Sequence, residues 1–373
     1  MREKLKVLHL ASFSGNVGDL LNHEGFYSSQ GLDKSRYNIT QLEIRDFYRR
    51  KRFFDAEFAE YVNTHDLFIV GGGNYFELWV DHSPTGTSFM MDIRDFRLIK
   101  IPVIFNALGV DPGQGASDTN ISKFKMFIDF LLGRNDTLIS VRNDGSFGTI
   151  VDLLGQDYAK AVLWTPDAGF NANFANISEH KRSISINIAG DMLENRFGDS
   201  LGVQKHCSLI AETVREMIEN GVAKEVVFIP HIYKDYNVIS EVLSFLPDAI
   251  VREKVTVAEL AMGQNIERFK EYYSQSSLVM ATRFHSNISG IVCGKPTVGL
   301  ASYRQIFKLY DELNLKDAVV DTKNLLRVEE ILSVINCVCG SQFRTAIESA
   351  AKDQRIKYEL YASQLRRFID KYI

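Results

Sequence analysis

An α/β fold built on parallel sheets is what this sequence predicts, and three observations carry the prediction. Short apolar runs rich in Val and Ile recur along the chain. Each ends in a cluster of Gly, Asn or Asp and is followed by an amphipathic segment of helix length, the order expected of parallel strands joined by helical crossovers. A polar stretch over residues 171–182 then interrupts the series before it starts again.

In the first half the strand candidates are residues 6–10, 39–44, 67–70, 103–107 and 138–141, with helices between most of them. The second series opens at 183–188, where Ile184, Ile186 and Ile188 fall on one face of an extended segment. It continues through 225–230, 277–281 and 297–300. Apolar spacing predicts a helix over 208–220, which Gly221 would close at its C-terminus. From Ala346 onward, Ala, Lys, Glu, Leu and Tyr at helical spacing predict one or two long amphipathic helices. A chain of 373 residues exceeds what one ordinary core serves. The expected organisation is therefore a Rossmann-like domain over 1–175, a second over 176–345, the two facing each other, and a helical segment over 346–373 packing back across them.

Composition excludes several classes. Hydrophobic residues at 45% and charged residues at 24% describe an ordinary globular chain, not a disordered one. A net charge of -4 gives no global attraction to nucleic acid or an anionic membrane, so any anionic ligand must be met by a local cluster. Cys207, Cys293, Cys337 and Cys339 lack zinc-like pairing, and one residue separates the last two, an awkward spacing for a disulfide. A reducing cytoplasm is the expectation, supported by a first ten residues without the apolar stretch of a secretory signal. No run approaches the roughly 18 apolar residues of a membrane span, which leaves peripheral contact at the inner face of the membrane open.

Open parallel sheets bind ligands beyond the carboxyl ends of their strands, so the residues just after each apolar run are the site candidates. After the first comes Ser14-Gly15-Asn16-Val17-Gly18-Asp19, which reads either as an anion-binding loop before a helix at Leu20 or as a turn capped by Asp19. The third run enters Gly71-Gly72-Gly73-Asn74, and three consecutive glycines let backbone approach a ligand where a Cβ would block it. Arg142 ends the fifth run. Its guanidinium could grip a carboxylate or phosphate with two parallel hydrogen bonds, or pair with Asp144. His231 follows a strand and a proline, and reads either as a structural histidine or as a secondary site residue. The strongest cluster is Thr282-Arg283-Phe284-His285-Ser286-Asn287, followed by an apolar segment and Gly294-Lys295-Pro296. An Arg and a His one residue apart at such a turn can bind an anion and exchange a proton with it.

At these residues the sequence resembles the polysaccharide pyruvyl transferase family. The resemblance runs in order through Asn16-Val17-Gly18-Asp19, Gly71-Gly72-Gly73, Leu108-Gly109-Val110-Asp111-Pro112, Ser140-Val141-Arg142, Pro166-Asp167, Arg283-Phe284-His285 and Gly294-Lys295-Pro296. It implies a fold similar to type B glycosyltransferases, with an active cleft between the domains. It also implies phosphoenolpyruvate as co-substrate and donor, and a hexose of a surface-polysaccharide precursor, galactose by preference, as an acceptor that can be lipid-linked. The products would be a pyruvate ketal and phosphate, with no metal and no resident cofactor. Carried onto this chain, Arg142, Arg283, Gly71, Gly72, Gly73 and Asn74 would hold the donor, and His285 with Arg283 would be catalytic. Asn16, Asp19, Asp111, His231, Arg304 and Lys308 would serve the acceptor or a secondary role. Two departures stand out: Gln305 lies where relatives carry Lys after Tyr, so Arg304 or Lys308 would supply that charge. The Gly-rich run after the fourth strand reads Asn106-Ala107-Leu108-Gly109 here.

Two other readings share these features. The same architecture serves glycosyltransferases that use nucleotide sugars, and a noncatalytic glycan- or anion-binding protein could retain the cleft.

Overall fold

The computed structural model of the protein describes residues 4–30, 36–174, 182–260, 266–325 and 327–373. The boundary expected at 175/176 lies outside the described residues. Contacts divide the chain into two compact units. The first comprises Met1–Phe13, Asn22–Asn171 and Arg355–Ile373, and the second Ser14–Leu21 and Ala172–Gln354.

The first unit carries strands β1 (Leu5–Ala11), β2 (Tyr37–Glu43), β3 (Leu67–Gly71), β4 (Phe76–Glu77), β5 (Val103–Leu108), β6 (Val110–Asp111), β7 (Thr137–Arg142) and β8 (Leu163–Thr165). Six of them form a parallel sheet in the order β2-β1-β3-β5-β7-β8, and β4 pairs with β6. β3 is buried along its whole length because both faces of the sheet are covered. Phe68 and Val70 join one core with Phe89, Phe96, Phe105 and Phe127. The alternate residues, Leu67 and Ile69, join another with Val7 and Ile104. This two-residue alternation is what the pleat imposes, and burial on both sides explains why the sequence shows a continuous apolar run.

Tyr358, Tyr361, Ala362, Leu365 and Ile369 complete that second core. Their spacing puts them on one stripe of a single 32-residue helix, Ser341–Tyr372, which starts five residues before the expected position. Tyr361 also donates its hydroxyl to Asn106 Oδ1 at 2.6 Å and lies 2.9 Å from Ser140 Oγ. Each large apolar side chain buried here contributes about 1.5–3 kcal/mol relative to exposure.

The second unit holds β9 (Ser183–Asn187), β10 (Glu225–Phe228), β11 (Val255–Val257), β12 (Leu278–Ala281), β13 (Thr297–Ala301) and β14 (Val319–Asp321) in one parallel sheet, order β11-β10-β9-β12-β13-β14. The helix expected over 208–220 is Ser200–Glu219, capped by Asp199, whose side chain accepts from Gly202 N. Gly221, at φ 68, closes its end as expected. Strands β8, β11 and β14 escaped the sequence reading. Each is a three-residue edge strand, too short to show a period.

In both sheets the strand order reverses once, between β1 and β3 and between β9 and β12. A topological switch point of this kind opens a crevice at the carboxyl ends of the strands. Residues 16 and 19, 71–74, and 283 and 285 lie at or after the ends of β1, β3 and β12, whereas Arg142, His231 and Arg304 lie at or after the ends of β7, β10 and β13.

Candidate active site

In the second unit, β9, β10 and β12 are neighbours, so the segments leaving their carboxyl ends converge. They bring Asp191, His231 and Arg283 together, although up to 92 residues separate them. Arg283 N donates to Asn187 Oδ1 at the end of β9, which fixes the turn against the sheet. The next residue begins the helix Phe284–Val292, whose cap position, Arg283, supplies no side-chain cap. His285 therefore sits in the first turn of this helix, whose N-terminal end carries the positive pole of the helix dipole, a setting that favours an anion.

The guanidinium of Arg283 is engaged on both of its edges. Nε and Nη2 donate to the two oxygens of Asp235 at 2.8 and 2.5 Å, and Nη2 and Nη1 donate to Asp191 at 3.1 and 3.4 Å. Asp235 is fully buried and also accepts from Gly190 N and His231 N, both at 2.8 Å. Arg196 extends the chain, with Nη2 3.6 Å from Asp191 and Nη1 donating to Ser302 Oγ. Burial opposes the charge of Arg283, yet Asp235 and Asp191 outweigh it and raise its pKa. Burial alone would raise the Asp191 carboxyl, but Arg283 and Arg196 hold it below its ordinary value. Two cations and two carboxylates thus balance one another. The expectation that Arg283 grips donor anions meets this constraint: its hydrogen-bonding edges already belong to the protein.

His285 is 8% exposed and packs against the loop Ser14–Leu21, which belongs to this unit. A Cβ built on Gly18 would lie 2.7 Å from His285 Nδ1 and 2.8 Å from its Cβ, so only glycine fits there. The same loop is pinned by Val17 N donating to His231 O at 3.1 Å. Asn16 Oδ1 accepts from Gly18 N, and the helix starts at Val17, not Leu20. Asp19 therefore lies in its first turn and is not its cap. Neither reading of the loop anticipated its packing on His285.

His231 is fully buried. Its Nε2 lies 2.7 Å from Tyr273 OH, which in turn lies 2.6 Å from Ser286 Oγ beside His285, while Nδ1 has no partner. Burial, with Arg283 and His285 adding to it, holds the imidazole far below its ordinary pKa. It is neutral at physiological pH. Arg304 and Lys308 are partly exposed on the helix Arg304–Glu312, which follows β13, and Arg196 lies over the ring of Tyr303 before it.

In the first unit the glycine loop follows β3, at the switch point. Gly71, at φ 154, would place a Cβ 2.1 Å from Asn106 O, and Gly72, at φ 83, 2.5 Å from Asn22 Oδ1. Close packing within the unit thus accounts for both glycines. Asn74 Nδ2 donates to Asp111 Oδ2 at 3.1 Å, and its Oδ1 is buried without a partner. Arg142 is 4% exposed, with Nε donating to Asp144 Oδ2 at 2.7 Å and Nη1 3.7 Å from Asp167 Oδ2. Of its two readings, the geometry displays the pairing with Asp144. Burial pushes the Asp144 carboxyl up, and Arg142 counters it.

Several residues of these networks escaped sequence reasoning. Asp191 follows β9 and obeys the rule that found the others. Asp235 and Arg196 lie within helical segments and gave no local signal. Glu77, opposite Asp111 across β4 and β6, is partly exposed, and burial lifts its carboxyl to about 7, with Asp111 adding to the shift and Ser88 and Asn74 opposing it. Among the described residues no group of three or more His, Cys, Asp or Glu is arranged to hold a metal.

A family model described as polysaccharide pyruvyl transferase matches residues 16–303. No curated protein matches the chain. Among solved structures, the chain resembles a UDP complex of MnaA from S. aureus at 11% identity, covering 96% of this chain and 97% of that one, with a TM-score of 0.55. A putative UDP-N-acetylglucosamine 2-epimerase from Listeria monocytogenes matches at 10% identity, 97% and 95% coverage and a TM-score of 0.57. The spinosyn rhamnosyltransferase SpnG matches at 13% identity, 98% and 100% coverage and 0.54. Likeness at such identity speaks to the fold, and it agrees with the expected pair of Rossmann-like domains of the type B glycosyltransferase class.

Proposed function

Because the chain belongs to the polysaccharide pyruvyl transferase family, we propose that it transfers pyruvate from phosphoenolpyruvate to a hexose of a polysaccharide precursor, with His285 as the proton donor. The observation that carries the assignment of His285 is its position in the first turn of the helix Phe284–Val292, beside the β9/β12 switch point and packed on Gly18.

The reaction needs such a group. A sugar hydroxyl adds to C2 of the enol phosphate while C3 takes a proton, so a general acid near C3 lowers the barrier. The C2–O bond to phosphate then breaks, phosphate leaves with the bonding pair, and a second hydroxyl closes the ketal at C2. Both hydroxyl protons are lost, one replacing the proton delivered to C3. In this reading the helix N-terminus receives an anionic group of the donor, and His285 delivers the proton. Arg283 is a positioning residue: held by Asp235 and Asp191, it fixes the turn that presents His285. Arg142 stands in the same relation to Asp144 and Asp167 in the first unit.

The test is mass spectrometry of galactose-containing acceptors, free and lipid-linked, incubated with phosphoenolpyruvate. A ketal adduct with stoichiometric phosphate release supports the proposal. Consumption of a nucleotide sugar without turnover of phosphoenolpyruvate would replace it with the glycosyltransferase reading; binding of glycan without either reaction would replace it with a noncatalytic one.

A further inference from the structure

The first unit carries a surface feature that the transfer chemistry does not use. Residues Tyr48-Arg49-Arg50-Lys51-Arg52-Phe53-Phe54 include four consecutive cations and no carboxylate. The turn is rigid. Arg50 N donates to Phe47 O at 3.1 Å, and Lys51 N and Arg52 N both donate to Asp46 O. Beneath it, the rings of Phe47 and Phe54 stack at 4.1 Å, with Phe58 against both. Arg50 takes a left-handed φ of 56, a conformation that favours glycine, yet the position holds a cation.

This frame leaves Arg49, Arg50, Lys51 and Arg52 exposed and presents Phe53, 61% exposed, at the same tip. Phe53 also lines a groove of about 390 Å³ with Lys51, Arg52, Asp55, Glu57, Phe58 and Tyr61. An exposed aromatic ring beside four cations suits a partner that supplies both an apolar layer and negative charge. Counter-charges are few on the turn itself. Asp46 pairs with Lys51 at 3.3 Å, Asp55 caps the next helix, and of the two glutamates on that helix Glu57 borders the groove while Glu60 does not line it.

We propose that the turn Tyr48–Phe54 docks the protein on an anionic phospholipid surface, with Phe53 entering the acyl boundary and Arg49, Arg50, Lys51 and Arg52 meeting the headgroups. The chemistry matches the general pattern of interfacial anchoring, in which clustered cations gain energy near the charged leaflet and an aromatic ring inserts. Nucleic acid would also attract the cations, but a single short turn offers no track along a phosphate backbone. The inference is independent of the proposed reaction.

The experiment is co-sedimentation of the full chain with vesicles of phosphatidylcholine alone or with about one third phosphatidylglycerol. Binding to the anionic vesicles, weakened by added salt and absent with phosphatidylcholine, is expected. The double variant Arg50→Glu/Arg52→Glu should weaken partitioning by roughly thirtyfold or more, since each cation near the surface contributes several-fold. Phe53→Ser should weaken it about tenfold at unchanged charge. All these side chains are exposed, so unchanged thermal unfolding verifies the variants. Equal binding to both vesicle types, no binding, wild-type binding by both variants, or retention by a single-stranded oligonucleotide in place of vesicles would each overturn the proposal.

Discussion

Gly18 and His285 occupy space that admits no additional atom between them: a Cβ on residue 18 would lie 2.7 Å from the imidazole Nδ1. Gly18→Ala should therefore displace the ring while leaving both sheets intact. An overpacked contact of this kind costs about 1–3 kcal/mol. The expected result is a modest drop in Tm with a loss of turnover of tenfold or more. Wild-type kcat in a folded Gly18→Ala protein would show that the contact does not position the histidine.

If His285 delivers the proton to C3, His285→Ala should lose roughly 100- to 10,000-fold in kcat while phosphoenolpyruvate still protects the protein thermally. Steady-state kinetics and thermal shift in parallel separate the two effects. Turnover at the wild-type rate removes His285 from the mechanism.

The pairing of Arg283 with Asp235 makes a distinct prediction. Asp235→Ala leaves a buried guanidinium without its bidentate partner and should destabilise by about 3–5 kcal/mol. Arg283→Lys keeps the charge but not the fork geometry, so it should lose more in kcat than in stability. Denaturant unfolding together with kcat measures both. If Arg283→Lys were fully active, the planar fork would be irrelevant to presenting His285.

His206 offers a stabilising substitution. Both ring nitrogens are buried without partners, and the ring stacks on Phe197 at 4.2 Å. Burial, reinforced by Arg196, lowers its pKa to about 3 from 6.5. A base whose folded pKa is depressed contributes stability that is complete above pH 6.5 and is lost as pH falls toward 3. His206→Phe keeps the stack and removes the titration. The variant should be more acid-resistant between pH 6 and 4, as read by Tm against pH, and an unchanged profile would refute the assignment.

Glu77 predicts the opposite slope. Its carboxyl is raised from 4.5 to about 7, chiefly by burial, so the folded state binds a proton more tightly than the unfolded chain. That contribution is complete below pH 4.5 and is lost as pH rises through 7. Glu77→Gln should flatten the loss of Tm between pH 5 and 8, and a wild-type slope in the variant would assign it to another group.

The fold was legible because its strongest strands are buried on two sides. Leu67-Phe68-Ile69-Val70 and Val103-Ile104-Phe105 feed alternate residues to opposite cores, so every position is apolar. Edge strands such as Val255–Val257 carry too little buried surface to leave a pattern. Arg283 and His285 were legible for a related reason: two polar groups directly after a buried strand stand where an open sheet binds ligands. Asp191, Asp235 and Arg196 were not, since two of the three ion pairs join residues 48 and 92 positions apart.

By itself, the sequence determined the α/β class, the two series of strands, the family and the turn at Arg283-Phe284-His285, because periodicity and local motifs are properties of neighbouring residues. Only the tertiary structure decided what those residues touch. It put Gly18 against His285, tied Arg283 to Asp235 and Asp191, and paired Arg142 with Asp144. These relations depend on strand order and on the direction of side chains leaving neighbouring strands, which no local spacing encodes.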